Sequence, residues 1–390
     1  MSEIKVNSIK GVGASAAAIT VNNTDGTCTA NITNNLSNRN LIINGAMQVA
    51  QRGTSFSAVQ NTFTLDRFKF KRESTAANFT MAQSTTSPDG FANSLKMTVT
   101  AADTSTASNE FVMVRYNIEA QDLQSLGYGT ASAKPLVLSF YVRSSLTGVY
   151  GVNCLQINNS NKIYSQTYTI NSANTWERKT ISIPADTSGV INNDNGVGLQ
   201  INFALVIGSS YKGSAVSSAY ESYSNDKFAS QHGVNFASST SNDWYLTGVQ
   251  LEVDHTGSGK PTDFEHRSFV QELLLCQRYY YEHANGSNAQ SNNRAAICSG
   301  GMYDSTNFFG VIQFPVKMRT RPSLVKTTGT GYYRVYGGNV ADGCNDAATQ
   351  NWSDQAFVLN LYDSLSLTQG SGGWAETNNA SALIAFNAEL

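Results

Sequence analysis

Hydrophobic residues along this chain recur at every second position far more often than at every third or fourth. In VGLQINFALVIG, Val197, Leu199, Ile201, Phe203, Leu205 and Ile207 fall on one parity, and Gly198, Gln200, Asn202 and Ala204 on the other. Successive side chains of a strand point to opposite faces, so this spacing predicts a half-buried β-strand. The alternation recurs at Tyr245, Thr247, Val249, Leu251 and Val253, at Leu95, Met97 and Val99, at Leu136, Leu138, Phe140 and Val142, and at Phe68 and Phe70. Trp176 and Trp244 lie within such patterns and are expected in the core. Turn-forming clusters such as SPDG and TSGVINNDNG separate the runs, and no helix-length amphipathic segment interrupts them, which argues against parallel βαβ units. Roughly eight antiparallel strands over 40–266 predict a jelly-roll-like β-sandwich.

The pattern resumes near the C-terminus. Phe308, Ile312, Phe314, Val316 and Met318 share one parity, and Tyr332, Arg334 and Tyr336 share one face. With FVLNLYDSL and SALIAFNAEL they predict a smaller β-sandwich over 285–390, a size of roughly 100 residues that can hold its own core. Segment 1–39 is dominated by Ser, Ala, Thr and Asn. Its short apolar pieces can pair with a neighbour but cannot build a core.

The period changes in one place, PTDFEHRSFVQELLLCQRYYYE (261–282). Ser268 and Gln271 fit the S-x-x-Q capping box, and Phe269, Leu273, Cys276 and Tyr280 follow at i, i+4, i+7 and i+11, the spacing of one helical face. A mainly β protein with one linking α-helix, at 267–284, is therefore expected. Val270, Leu274, Leu275, Tyr279 and Tyr281 widen the apolar stripe, so the helix is buried or meets a partner. Phe269, Leu273, Leu274, Cys276 and Tyr280 are the expected interface residues.

Composition narrows the function classes. Charged residues are 14% of the chain, against roughly 25% in an average soluble protein, and 18 Tyr with 18 Phe mark a folded chain. At 390 residues it exceeds one ordinary domain core. The net charge of -2 and the lack of any Lys/Arg cluster exclude the footprint of a nucleic-acid binder. No apolar run approaches the roughly 20 residues needed to span a bilayer, and the first residues lack a signal peptide's apolar core; a soluble protein made without that export route is expected. Cys28, Cys154, Cys276, Cys298 and Cys344 are widely spaced with no C-x-x-C, which favours free thiols over a disulfide framework or zinc site.

The dense patch also invites a catalytic reading. Glu252, Asp254, His255, Asp263, Glu265 and His266 could in principle bind a divalent cation or supply an acid and a base. Their spacing matches no ligand motif, and a helix dipole with Arg267 and Arg278 accounts for the carboxylates without chemistry. There is no G-x-S-x-G, Walker loop, H-E-x-x-H or dinucleotide fingerprint. The acids are too scattered to nominate a glycosidase pair, which stands roughly 5 to 9.5 Å apart. No catalytic residue, metal or cofactor is expected.

NLIINGAMQVAQRGTSF, then LDRF, WYLTGVQLEV and TDFEHRSFVQELLLCQRYYYE, together resemble the tail fibre or receptor-binding proteins of tailed bacteriophages, particularly short-tailed marine ones. The likeness covers about 40–282 and is carried by Asn44, Gly45, Met47, Gln51, Arg52 and Gly53 and by Phe264–Arg267. It implies carbohydrate-binding jelly rolls in a virion component assembled in the host cytoplasm. It further implies a homotrimer whose segment 1–39 attaches to tail proteins, while its C-terminal part faces a host-surface glycan or outer-membrane protein, with no nucleic acid bound and no membrane insertion. An aromatic ring stacks on the apolar face of a sugar, so Tyr332, Tyr333, Tyr336, Trp352 and Trp374 are the candidate receptor-binding residues. Two alternatives stand beside this expectation: a polysaccharide-degrading tail enzyme and a purely architectural tail adaptor.

Overall fold

The structure is a computed structural model, and it describes residues 6–12, 17–21, 24, 28–30, 38–57, 59–158, 161–255, 257–289 and 292–390. Three short antiparallel strands, β1 (Ser8–Ile9), β2 (Ile19–Val21) and β3 (Cys28–Ala30), form a small sheet at the N-terminus. Most of the segment assigned to virion attachment lies outside the described residues.

Twelve strands follow. They are β4 (Ser55–Ser57), β5 (Phe68–Glu73), β6 (Asn78–Ser84), β7 (Ser94–Ala101), β8 (Phe111–Glu119), β9 (Leu136–Ser144), β10 (Gly148–Gln156), β11 (Lys162–Ile170), β12 (Glu177–Ile183), β13 (Val197–Ile207), β14 (Glu221–Ser222) and β15 (Asp243–Val253). One six-stranded sheet runs β14-β11-β10-β13-β8-β5 and the other β12-β9-β15-β7-β6-β4, all pairs antiparallel. This is the jelly-roll-like sandwich that the alternation predicts. The expectation of roughly eight strands falls short because polar runs such as KIYSQTYTI and ERKTISI also alternate, with Tyr164, Tyr168, Ile170, Ile181 and Ile183 in the core. Between the sheets lie Phe68, Phe70, Val114, Phe140, Leu199, Ile201, Phe203, Trp244 and Leu251 in one core. Phe140 meets Phe203 edge-to-face at 5.1 Å, a preferred ring geometry that contributes about 1 kcal/mol beyond burial.

Two bulges change which residues face inward. In β13 the register shifts between Ala204 and Val206, so Val206 joins the main core while Ile207 turns to the outer face. In β15 it shifts between Thr247 and Gln250, across Gly248 at φ 59, and the inward residues are Trp244, Leu246, Val249 and Leu251. One extra residue in a strand reverses the parity beyond it, so single parities for Val197–Ile207 and Tyr245–Val253 do not hold. Nor is β13 half-buried, because the stretch 208–232 covers its outer face with Phe228 and Ala229. Trp176 precedes β12 and is half-buried against Tyr245 at 6.0 Å. It lies outside the core expected for it.

The helix α1 (Phe269–Gln277) begins at the expected capping box but is shorter than 267–284. Tyr280 enters β16 (Tyr280–Asn285), which pairs antiparallel with the last strand of the chain, β25 (Leu383–Asn387). Aromatic residues favour a pleated surface with a partner, and tertiary pairing overrides the helical spacing of the tyrosines. Between them come β17 (Ala296–Met302), β18 (Phe308–Gln313), β19 (Ser323–Lys326), β20 (Tyr333–Gly337), β21 (Val340–Cys344), β22 (Asp346–Trp352), β23 (Ala356–Tyr362) and β24 (Gly372–Thr377). A three-stranded sheet β16-β25-β19 faces a seven-stranded sheet β21-β20-β24-β17-β18-β23-β22 over a second core that includes Phe308, Ile312, Phe357, Leu359 and Phe386. The smaller C-terminal sandwich is therefore present. Cys154, Cys276 and Cys344 are buried free thiols, and Cys298 is a half-buried one.

Candidate functional site

The dense stretch 261–282 is built as a joint. Asn44, whose side chain donates to Val49 O and Asp66 O, holds a tight loop, and Gly45 passes so close to β15 that a Cβ would stand 2.2 Å from Val249 O. Gln51 donates from Nε2 to Asp66 Oδ1 at 2.6 Å and to Tyr280 O at 2.8 Å. Arg52 lies 3.7 Å from the Tyr280 ring centroid and pairs with Glu389 at 3.2 Å. On the other side, the Glu265 carboxylate accepts the backbone N–H groups of Asn38 and Asn40, and Arg267 donates to Ile42 O and Asn40 O. The stretches 40–56 and 262–282 quoted for the sequence resemblance thus meet in space.

At the centre of the joint stands Arg67, 1% exposed. Its guanidinium packs 3.5 Å from the Tyr279 centroid, pairs with Glu389 and donates to Asn117 O at 2.7 Å. Burial pulls the Arg67 pKa down, but Glu389, Tyr116 and Tyr279 outweigh it and hold the group above its usual range. Glu119 accepts from Arg278 Nη2 at 2.6 Å and from the Tyr279 hydroxyl at 2.8 Å. Burial pushes the Tyr280 phenol up to about 12.

Three of the four carboxylates of the catalytic reading, Glu252, Asp254 and Glu265, are engaged structurally, and Asp263 is exposed. Glu252 accepts from Thr262 N at 2.9 Å and Thr262 Oγ1 at 2.7 Å, and Asp254 from Gly259 N at 2.6 Å. His266 lies against Phe91 and Phe264. Among the described residues, no three His, Cys, Asp or Glu side chains are grouped to hold a metal ion.

The five expected interface residues divide. Cys276 and Tyr280 are buried inside the joint, and Leu273 is half-buried beside it. Phe269 and Leu274 are exposed, together with Val270 and Leu275, so the apolar side of α1 is uncovered in the single chain. Two open clefts flank it: one of about 460 Å³ bordered by Phe269, Leu273 and Arg52, the other of about 690 Å³ bordered by Leu274, Leu275, Val316 and Lys317.

The receptor-binding candidates also divide. Tyr333 is fully buried, its hydroxyl donating to Thr327 O at 2.6 Å, and it is corrected to a core residue: β20 turns 333, 335 and 337 inward. Tyr332 precedes β20 and packs half-buried against the same core. Trp352 is exposed on the edge strand β22 against Phe357. It is four strand steps from β24, about 19 Å. Tyr336 and Trp374 are cross-strand neighbours and form one platform, their rings stacked at 4.3 Å and 12° with Trp374 49% exposed. Arg334 stands over the Tyr336 ring at 5.1 Å, and the Tyr336 hydroxyl donates to Glu376 at 3.2 Å.

A second stacked pair on the same face escaped the sequence reading. Tyr303, 65% exposed, lies parallel to Phe309 at 4.9 Å and 9°. The signal was available in NFFG, where Phe308 and Phe309 take opposite parities and only Phe308 belongs to the core. Between the pairs Phe309 lies across from Gly301, and Gly301 from Gly372, with Ser299 across from Trp374. A Cβ at Gly301 or Gly372 would meet no atom closer than 3.5 Å. Intrachain packing therefore does not demand glycine there, and the bare backbone leaves a shallow trough between two aromatic walls.

No protein-family model matches this sequence, and no curated protein matches it. Among solved structures, the enzymatically active domain of tailspike protein 4 of bacteriophage CBA120 is similar over 55% of this chain and 21% of its own, at 12% identity and a TM-score of 0.29. The chain thus spans about a fifth of that tailspike chain. The family 11 carbohydrate-binding module of the cellulosomal cellulase Lic26A-Cel5E of Clostridium thermocellum is covered over 98% of its length by 55% of this chain, at 10% identity and 0.26. The CBM22-1-GH10 modules of xylanase 10B from the same organism, in complex with xylohexaose, are covered over 29% by 56% of this chain, at 8% and 0.29. At such scores these likenesses say nothing of what this chain binds.

Proposed function

We propose that this protein is a glycan-binding subunit of a bacteriophage tail fibre, and that the trough on its C-terminal sheet receives a host-surface sugar chain. The stacked Tyr336–Trp374 pair, its tryptophan exposed, carries the reading. A stacked pair offers a flat apolar face to a sugar ring, while Arg334, Glu376 and Ser299 beside it supply groups for hydroxyls, the combination that gives a binding surface both area and orientation. The tail-fibre assignment draws on the sequence resemblance, whose motif residues form the joint. The uncovered apolar side of α1 supports self-association, because contiguous exposed apolar surface marks an interaction site; three copies meeting there, with segment 1–39 toward the tail, complete the proposal. No catalytic step is assigned. The test is binding of the full-length protein to host cells and to extracted surface polysaccharide. Trp374→Ala is expected to weaken it at least about tenfold, about 1.4 kcal/mol, with the melting temperature unchanged. Undiminished binding by that variant overturns the trough.

A further inference from the structure

The outer face of β5 and β8 gathers three cations, with one carboxylate, Glu73, at the end of the same β5 row. Arg115 lies directly across from Lys69, and Lys71, two residues along β5, lies across from Met113. Cross-strand neighbours stand about 5 Å apart and residues two apart on a strand about 7 Å. Three half-buried cations thus share one small patch of a chain whose net charge is -2. Among the described residues none of the three belongs to an ion pair. Glu389 acts on Lys69 from a distance but is bound by Arg67 and Arg52.

The guanidinium is also held in place. Arg115 Nε donates to Asn202 Oδ1 at 2.8 Å, and Asn202 Nδ2 donates to Asn153 Oδ1 at 2.8 Å. Asn153 in turn donates to Phe228 O at 2.6 Å. The amides follow one row of the register, Arg115 to Asn202 to Asn153. Arg115 Nη1 makes no hydrogen bond to the described residues. Burial lowers the Arg115 pKa to about 10, and it lowers that of Lys69 with help from Arg115 and Lys71. Like charges facing each other across strands destabilise a sheet, and a cation stripped of water without a counter-ion costs more still. An arrangement that costs stability yet is braced by a hydrogen-bonded row has the character of a binding site.

We propose that Lys69, Lys71 and Arg115 bind the carboxylate or sulfate group of an acidic glycan. Guanidinium takes such groups through two parallel N–H donors, and the lysines add point charges. The cations do not continue into a row. Their half-buried neighbours Phe63 and Tyr223 are suited to ring faces, whereas a polyanion such as nucleic acid needs an extended basic track. This site lies on the jelly roll and does not rest on the trough.

The test is calorimetric titration of the full-length protein with a polygalacturonate oligosaccharide, a sulfated galactan oligosaccharide and a neutral xylo-oligosaccharide. At least one acidic probe is expected to bind, more weakly as salt is added. The double variant Lys69→Gln, Lys71→Gln should lose at least about tenfold in affinity for it. Its melting temperature should equal or exceed that of the parent, since facing like charges are gone, which separates lost binding from lost folding. Trp374→Ala should leave acidic-probe binding intact, so that failure of the trough and failure of this site are distinguishable. Equal affinity in the double variant, no binding of either acidic probe, or tighter binding of a DNA oligonucleotide or polyglutamate each overturns the proposal.

Discussion

Aromatic and charged residues are combined in two regions of this molecule, with opposite outcomes. At the joint, Tyr279 and Tyr280 lie beneath Arg67 and Arg52 and are buried. On the C-terminal sheet, Tyr336 and Trp374 stack beside Arg334 and Glu376 with the tryptophan open. The joint answers most of its polar groups internally: Glu389 pairs with two arginines and Glu119 with Arg278 and Tyr279, while Arg52 Nη1 and Arg67 Nε stay buried without a hydrogen-bond partner. On the sheet the outer face of Trp374, 49% exposed, remains open, although Glu376 is bound by Tyr336 and Arg294. Residue type alone does not separate a structural lock from an open aromatic platform; the number of neighbours packed over the rings does.

The comparison breaks most readily at Arg67. Arg67→Ala leaves Glu389 short of a buried partner and opens the contact between the two sandwiches, and a loss of about 3–5 kcal/mol is expected in urea unfolding. A loss under about 1 kcal/mol would show that the joint is not a lock.

Histidines test whether burial, more than residue type, controls the outcome. His232 is 1% exposed, its Nδ1 accepting from Gly151 N at 3.0 Å and its ring bonded through Nε2 to Val234 O at 2.8 Å. Burial, with Lys212 nearby, lowers its pKa from 6.5 to about 4. The unfolded chain takes up this proton below about pH 6.5 and the folded chain only near 4, so stability is full above the upper value and falls as pH drops between them. The loss reaches about 3 kcal/mol, and His283, lowered in the same direction by burial, adds to it. Melting curves from pH 7 to 4 should show this slope, and it should be shallower in His232→Gln.

On the sheet, Trp374→Ala should cost binding and almost no stability, within about 0.5 kcal/mol, because little of the ring's environment is protein. The smallest stability effect is expected at α1. Leu274→Asp should leave the single chain's melting temperature within the same limit, while light scattering reports loss of self-association. If instead that variant unfolds the chain, Leu274 is a core residue and the uncovered face is not a contact between copies.

What the sequence determined by itself was periodicity and local chemistry. Two-residue alternation marked both sandwiches, and Ser268 with Gln271 marked the start of α1 through a cap that needs only its own four residues. It also placed Tyr332, Arg334 and Tyr336 on one parity, and β20 keeps 333, 335 and 337 inside. Tertiary structure decided the rest. The bulge in β15 put Leu246, in place of Thr247, on the same inner face as Val249 and Leu251, since register depends on the partner strand. Pairing with β25 drew Tyr280 and Tyr281 out of the helix. The joint unites Gln51, Asp66, Tyr280 and Glu389, residues up to 338 positions apart counting from 51 to 389, and no local pattern encodes such a meeting. Exposure was equally out of reach: Tyr333 and Tyr336 are the same residue three positions apart, and only packing against a second sheet closes over one and leaves the other half-buried beside an exposed tryptophan.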